Sequence, residues 1–170
     1  MPVRVTLHLS SGRPVVLRDA ARSDLDALVA LLVEDPLGHE RDGITTTRDR
    51  IRYERAFAAI DRDPAHLLVV AEGQGPGALG TLQLSFLPGL ARRGSWRAQI
   101  EAVRVRTAVR GQGLGSAMIR WAIDEAAGRG CALVQLTSDK LRPDAHRFYE
   151  HLGFRATHEG MKLHLPSGGT

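Results

Sequence analysis

Cysteine is almost missing from this 170-residue chain. Cys131 stands alone, which excludes an internal disulfide and any multi-cysteine zinc site and makes a reducing cytoplasm the expected location. Long apolar runs are missing too: no stretch approaches the roughly 20 residues that span a bilayer. The N-terminus alternates short apolar and polar residues, without the uninterrupted apolar region of a signal peptide. No membrane role is expected. Repeats, low-complexity tracts and linkers are also absent, so 1–170 is expected to form a single domain, with 1–12 and 166–170 peripheral.

Charge of one sign is not concentrated along most of the chain. The net charge is +4, but Arg48-Asp49-Arg50, Glu54-Arg55 and Asp61-Arg62-Asp63 mix signs as solvated helix faces do. The denser exception is Arg92, Arg93, Arg97, Arg104, Arg106 and Arg110. These are expected to surround an anionic small molecule, so no nucleic-acid partner is invoked. The seven histidines contain no His-x-x-x-His pair within a helix; His146 and His151 are five apart and point to different faces. No metal site is expected. Cys131 reads as a small buried residue at a strand start, not as a nucleophile.

What is present is an ordered alternation of patterns. Pro14-Val15-Val16-Leu17-Arg18 reads as a first strand. Leu25, Leu28, Val29 and Leu32 lie on one helix face, capped by Ser23 or Asp24 and ending near Asp35-Pro36. Residues 37–47 read as irregular, followed by a polar helix from Arg48 to Asp61 with Ile51, Phe57 and Ile60 inward. Strands 65–72 and 78–86 form a hairpin across the glycine-rich 73–77. A strand from Arg97 to Arg106, a helix Gly113–Gly128, a strand from Ala132, a helix Pro143–Leu152 and one or two strands within Phe154–Leu165 complete the order. The class is α/β (α+β).

The stretch Arg110-Gly111-Gln112-Gly113-Leu114-Gly115-Ser116 carries the strongest functional signal. It turns a valine-rich strand into a helix whose first N–H groups lack intrahelical acceptors, where the macrodipole favours an anion such as phosphate. Two familiar phosphate loops fail on these residues. No lysine precedes Ser116, as a nucleotide-triphosphatase loop requires. Ser116 also stands where a dinucleotide fingerprint needs its third glycine.

Arg110, Gly113 and Gly115 do meet Arg/Gln-x-x-Gly-x-Gly/Ala, and one helix and one strand later comes Ala145-His146-Arg147-Phe148-Tyr149-Glu150-His151-Leu152-Gly153-Phe154. Together these motifs resemble the GNAT N-acetyltransferase superfamily, from about Arg97 to Leu165. The resemblance implies a mixed sheet of about six to seven strands flanked by about four helices. Acetyl-CoA would lie in the splay between strands four and five, here Arg97–Arg106 and Ala132–Ser138. It implies cofactor contacts at Val103, Arg104 and Val105, through main-chain groups freed by a bulge, and at Arg110, Gly111, Gln112, Gly113, Leu114, Gly115 and Ser116. Arg142 stands where family members often carry asparagine, and an arginine there suits a phosphate or an acidic substrate group. Homodimers are common in that family.

Acetylating an amine of pKa about 10.4 requires removal of its proton at neutral pH. Regular alternation would put Gln99, Glu101, Val103 and Val105 on one face of their strand, with Glu101 the sole carboxylate. Glu101 resembles a catalytic base by position; the alternative is an ion pair with Arg104 or Arg106. Tyr149 resembles the acid that protonates the departing thiolate, and also belongs to the stripe Ala145, Phe148, Tyr149 and Leu152. Glu34, Asp35, His39, Glu40 and Asp42 could hold a cationic amine or be an acidic solvated loop. The expected activity is acetyl transfer from acetyl-CoA to a small-molecule primary amine. Protein N-termini or lysines are the alternative acceptors, and a non-catalytic acyl-CoA sensor is the alternative of another class.

Overall fold

A computed structural model describes residues 2–35 and 41–165. The chain divides into two compact units, 1–136 and 137–170, each described by itself. The first unit is built on a six-stranded sheet in sequential order. Its strands are β1 (Arg4–His8), β2 (Pro14–Asp19), β3 (His66–Glu72), β4 (Ala78–Leu87), β5 (Arg97–Val105) and β6 (Leu133–Leu136). The first five pair antiparallel, and β6 joins β5 in parallel after a crossover through the helix α4 (Leu114–Gly128).

β1 was not expected; the N-terminal dozen residues read as peripheral. It pairs along its whole length with β2, Arg4 opposite Arg18 through His8 opposite Pro14. Its residues are mostly exposed because it is an edge strand with one neighbour, so burial leaves little mark on its composition.

The two faces of the sheet are covered by different helices. On one lie α1 (Leu25–Val33) and α2 (Thr47–Arg62), whose Leu25, Leu28, Val29, Leu31 and Phe57 bury against Val70 and Ala78. Ile51, expected inward, is 42% exposed, because the buried face of α2 runs through Tyr53, Phe57 and Ile60 instead. A capping box starts α2: the Thr46 hydroxyl accepts the Asp49 N–H (3.1 Å), and the Asp49 carboxylate accepts the Thr46 N–H (2.9 Å). Near the start of α1, Arg18 reaches both Asp24 (2.7 Å) and Glu72 (2.8 Å), which holds the Asp24 carboxyl below the usual carboxylate range through its hydrogen bond to Arg18.

On the opposite face α4 packs through Leu114, Met118, Ile119, Ala122 and Ala126, all buried. Contact is close because residue 80 is glycine: a Cβ there would lie 3.0 Å from both the Arg104 carbonyl and the Met118 sulfur. Between β4 and β5 is a single turn, α3 (Ala91–Gly94), in which Arg92 and Arg93 take left-handed conformations.

In the second unit α5 (Pro143–His151) carries the ring of Tyr149 edge-on to Phe148 (5.0 Å between centroids) and to Phe154 (5.8 Å). The strands expected within Phe154–Leu165 do not form among the described residues. Met161 and Leu163 do alternate with polar neighbours, but they are 95% and 86% exposed. Alternation gives a segment two faces, yet only a hydrogen-bonded neighbour makes it a strand.

Candidate active site

β5 and β6 stay paired only from Arg97 opposite Leu133 to Ile100 opposite Leu136. There β6 ends, while β5 runs on to Val105 with β4 alone as its neighbour. The edge of residues 101–105 is therefore left open by the sheet.

The same segment is bulged. Thr81 faces Arg104 and Gln83 faces Glu101, so Leu82 opposes two residues, Ala102 and Val103, and Ala102 takes a φ of 51°. The extra residue resets the alternation. Residues directly opposite share a face, so Glu101 lies with Gln83 and Gln99, and Arg104 joins that face with Thr81. Glu101 does not share it with Val103 and Val105, contrary to the regular alternation assumed from sequence. This is the α1–α2 face, since Leu68 and Val70 stand opposite Gln83 and Thr81. Glu101 is exposed there, in a row of polar side chains: Gln135 donates to Gln99 (2.7 Å), and His66 is 2.8 Å from the Ser85 hydroxyl.

Main-chain directions follow from the ladder. Arg106 N–H donates to the Leu79 carbonyl (2.8 Å), so Arg104, two residues earlier and opposite Thr81, also faces β4. Val105, between them, presents its main chain to the open edge. Its carbonyl accepts from Arg110 Nε (3.0 Å), and the Val103 carbonyl accepts from Arg104 Nη1 (2.8 Å).

Beyond β5 the chain makes a 3-10 turn, Thr107–Val109, and enters α4 through Gly111 and Gly113, with φ of 73° and 83°. Gly113 caps α4 in the left-handed conformation, which costs an L side chain energy. Leu114 is buried beneath the loop, while Gly115 and Ser116 are half-buried at the start of the helix. The loop is also braced from β1–β2: Ser10 N–H donates to the Gln112 carbonyl (2.8 Å). Residues 101, 103–105 and 110–116 thus lie along one strand and the helix entry that follows it, with the main chain of Val105 turned to the open edge and that of Arg104 to β4. Tyr149 and Arg142 belong to the second unit, half-buried on α5 and at its N-cap.

The arginine cluster is divided. Arg92, Arg93 and Arg97 lie at or before the start of β5, roughly 26 Å of extended strand from the loop. Arg106 donates to the Ala78 carbonyl (2.8 Å), and Arg104 pairs with Asp35. Of the expected acidic acceptor loop, Glu34 accepts the Thr107 N–H (2.9 Å), Asp35 faces Arg104, and Asp42 pairs with Arg41 (3.1 Å). His39 and Glu40 lie outside the described residues. Tyr53, which nothing in its helix pattern singled out, accepts the Gly43 N–H through its hydroxyl (3.1 Å). Cys131 lies at the other end of the sheet in a groove of about 360 Å³ with Trp96, Phe86 and Arg129, and burial pushes its thiol pKa up. A protonated thiol is a poor acyl carrier.

A glycine-led helix entry stands beside a parted, bulged strand. The model of the GNAT acetyltransferase family matches residues 26–154. The chain belongs to that family. It is therefore an acetyl-transferring enzyme. This GNAT enzyme is 29% identical over 144 residues to the aminoalkylphosphonate N-acetyltransferase of Salmonella typhimurium, covering 84% of this chain and 86% of that one. With glucosamine 6-phosphate N-acetyltransferase 1 of Oryza sativa it shares 32% identity over 158 residues, covering 90% and 86%. Its fold matches the crystal structure of a transcriptional regulator from Bacillus halodurans with a TM-score of 0.83 and 48% identity, over 89% of this chain and 99% of that one. Among the described residues no helix is long and apolar enough to cross a membrane, and no three His, Cys, Asp or Glu side chains gather as metal ligands.

Proposed function

We propose that this GNAT enzyme moves acetyl from acetyl-CoA to the primary amine of a small molecule, by direct attack in a ternary complex. The observation that carries the reading is the end of β6 at Leu136, which leaves the bulged edge of β5 open beside the start of α4. On this reading the amides of residues 111–116 hold the pyrophosphate at the positive end of α4 and Arg110 adds charge, while Arg142 is assigned to a phosphate or acidic substrate group from its motif alone. Val103 and Val105 line the pantetheine arm and thioester, where a well-placed main-chain donor contributes roughly 3 kcal/mol to oxyanion stabilisation. Glu101 takes a proton from the substrate ammonium, and the neutral amine attacks. Tyr149, assigned from its motif, returns a proton to the coenzyme A thiolate.

A small-molecule acceptor is supported by the two enzymes above, whose names pair an amine with a phosphonate or phosphate group. The test is a panel of amines with acetyl-CoA, reading thiol release. Turnover of small amines supports the proposal; turnover of peptides alone moves the acceptor to protein N-termini or lysines.

A further inference from the structure

α1 closes with two acids, Glu34 at its C-cap and Asp35 immediately after, at the helix end whose dipole repels negative charge. Both are compensated from the same short stretch around the end of β5. Glu34 Oε2 accepts the Thr107 N–H (2.9 Å). Asp35 Oδ2 lies 3.6 Å from Arg104 Nε, with the two side chains 4% and 12% exposed. Arg104 meanwhile donates from Nη1 to the Val103 carbonyl (2.8 Å). Its guanidinium therefore joins two things: the end of α1 and a carbonyl within the bulge of β5.

We propose that Asp35 and Arg104 form a positioning clamp for acetyl-CoA, fixing the peptide between Val103 and Arg104 and thereby the strand edge that receives the thioester arm. The inference rests on the acetyltransferase reading above. A planar peptide held at its carbonyl cannot rotate, so the neighbouring Val105 main chain keeps its direction toward the edge. Asp35 orients the guanidinium, and the pair is buried enough that water does not replace either partner. Because Asp35 also begins the segment joining α1 to α2, the clamp ties the expected acceptor side to the cofactor side through one side chain.

The test uses the full chain and acetyl-CoA. Affinity is measured by calorimetry and Tm by melting for the wild type, Asp35→Asn, Arg104→Lys and Arg104→Leu. Arg18→Leu, which breaks the distant Arg18–Asp24–Glu72 network, serves as a control for lost stability. Misplacing the strand edge is expected to weaken acetyl-CoA binding about tenfold in Arg104→Leu and Asp35→Asn. Arg104→Lys keeps the charge facing Asp35 but lacks the forked donor, so it should recover Tm more than affinity. The amide resonances of Val103 and Val105 should move in the clamp variants and stay in Arg18→Leu. Unchanged affinity and resonances in both Arg104 variants overturn the clamp alone, as does an equal loss of affinity in Arg18→Leu. Failure of the wild type to bind acetyl-CoA overturns the acetyltransferase reading, and the clamp's role with it.

Discussion

Gly113→Ala tests the loop at the point where the backbone demands most. Residue 113 holds φ at 83°, and a Cβ there would lie 2.9 Å from Ser10 Oγ. Two costs are therefore in play, and they are unequal. The left-handed conformation costs an L residue about 1–2 kcal/mol, and no rearrangement of neighbours removes it. The contact with Ser10 is softer, because Ser10 is exposed and its hydroxyl can rotate away while its main-chain bond to Gln112 stays. The φ term should dominate. For a chain of this length about 1 kcal/mol lowers Tm by roughly 2–4 °C, so Gly113→Ala should melt roughly 2–8 °C below the wild type.

Two further variants separate the causes. Ser10→Ala in the Gly113→Ala background removes the contact and should recover only a minor part of the loss. Gly113→Asn should be milder than Gly113→Ala, since asparagine tolerates the left-handed region. Acetyl-CoA affinity should fall with Gly113→Ala beyond what the stability loss explains, because the substitution shifts the first amides of α4. Full recovery of Tm by Ser10→Ala, or a Gly113→Ala protein as stable as the wild type, would refute the argument that the loop is held by backbone conformation.

Glu101→Gln should lower kcat by about 10²–10⁴ at neutral pH for amines of high pKa, with the deficit shrinking as pH approaches about 10 and the amine deprotonates itself; a pH-independent deficit would remove Glu101 as base. Tyr149→Phe should reduce turnover with acetyl-CoA affinity nearly unchanged, and a pure affinity loss by calorimetry would contradict the acid role. Asp49, whose pKa is lowered to about 2 chiefly by the Thr46 hydroxyl and then by Thr45, stabilises the fold at pH values above the ordinary carboxylate range. A depressed pKa means this stabilisation is lost as pH falls, so the Tm gap between wild type and Asp49→Asn should be open at pH 7 and close from about pH 4 down through about pH 2. A gap that widens on acidification would reverse the assigned sign.

The features legible in the sequence are those that local chemistry dictates. Gly111 and Gly113 announced a strand-to-helix turn because only glycine enters it cheaply, and both take positive φ. The α4 stripe of Leu114, Met118, Ala122 and Ala126 was readable because one helix face must be apolar to cover a sheet, and all four are buried. What stayed hidden depends on pairing between distant segments. β1 is an edge strand, so its residues carry little signature of burial. The bulge was implied by the family resemblance, but its position at Ala102 has no local signature, since alanine, unlike glycine, does not advertise a positive φ. Reading through it as regular strand placed Glu101 with Val103 and Val105, and the inserted residue instead moves Glu101 to the face of Gln83 and Thr81.

That displacement bears directly on function. In an unbulged strand, a base on β5 and the valines that follow it at even spacing would share one side of the sheet, crowding acceptor and thioester arm together. The extra residue lets one strand serve two directions: Glu101 and Arg104 toward the face covered by α1 and α2, and the Val105 main chain toward the edge abandoned by β6. On the proposed reading, an amine arriving over the α1–α2 face and a thioester lying along the open edge then meet near the bulge without competing for space. The cost is a left-handed alanine, an expense of order 1–3 kcal/mol that persists where surrounding structure enforces it. Here the enforcement is visible. β4 pairs on both sides of the bulge, and Arg104, held by Asp35, secures the Val103 carbonyl within one residue of the strain.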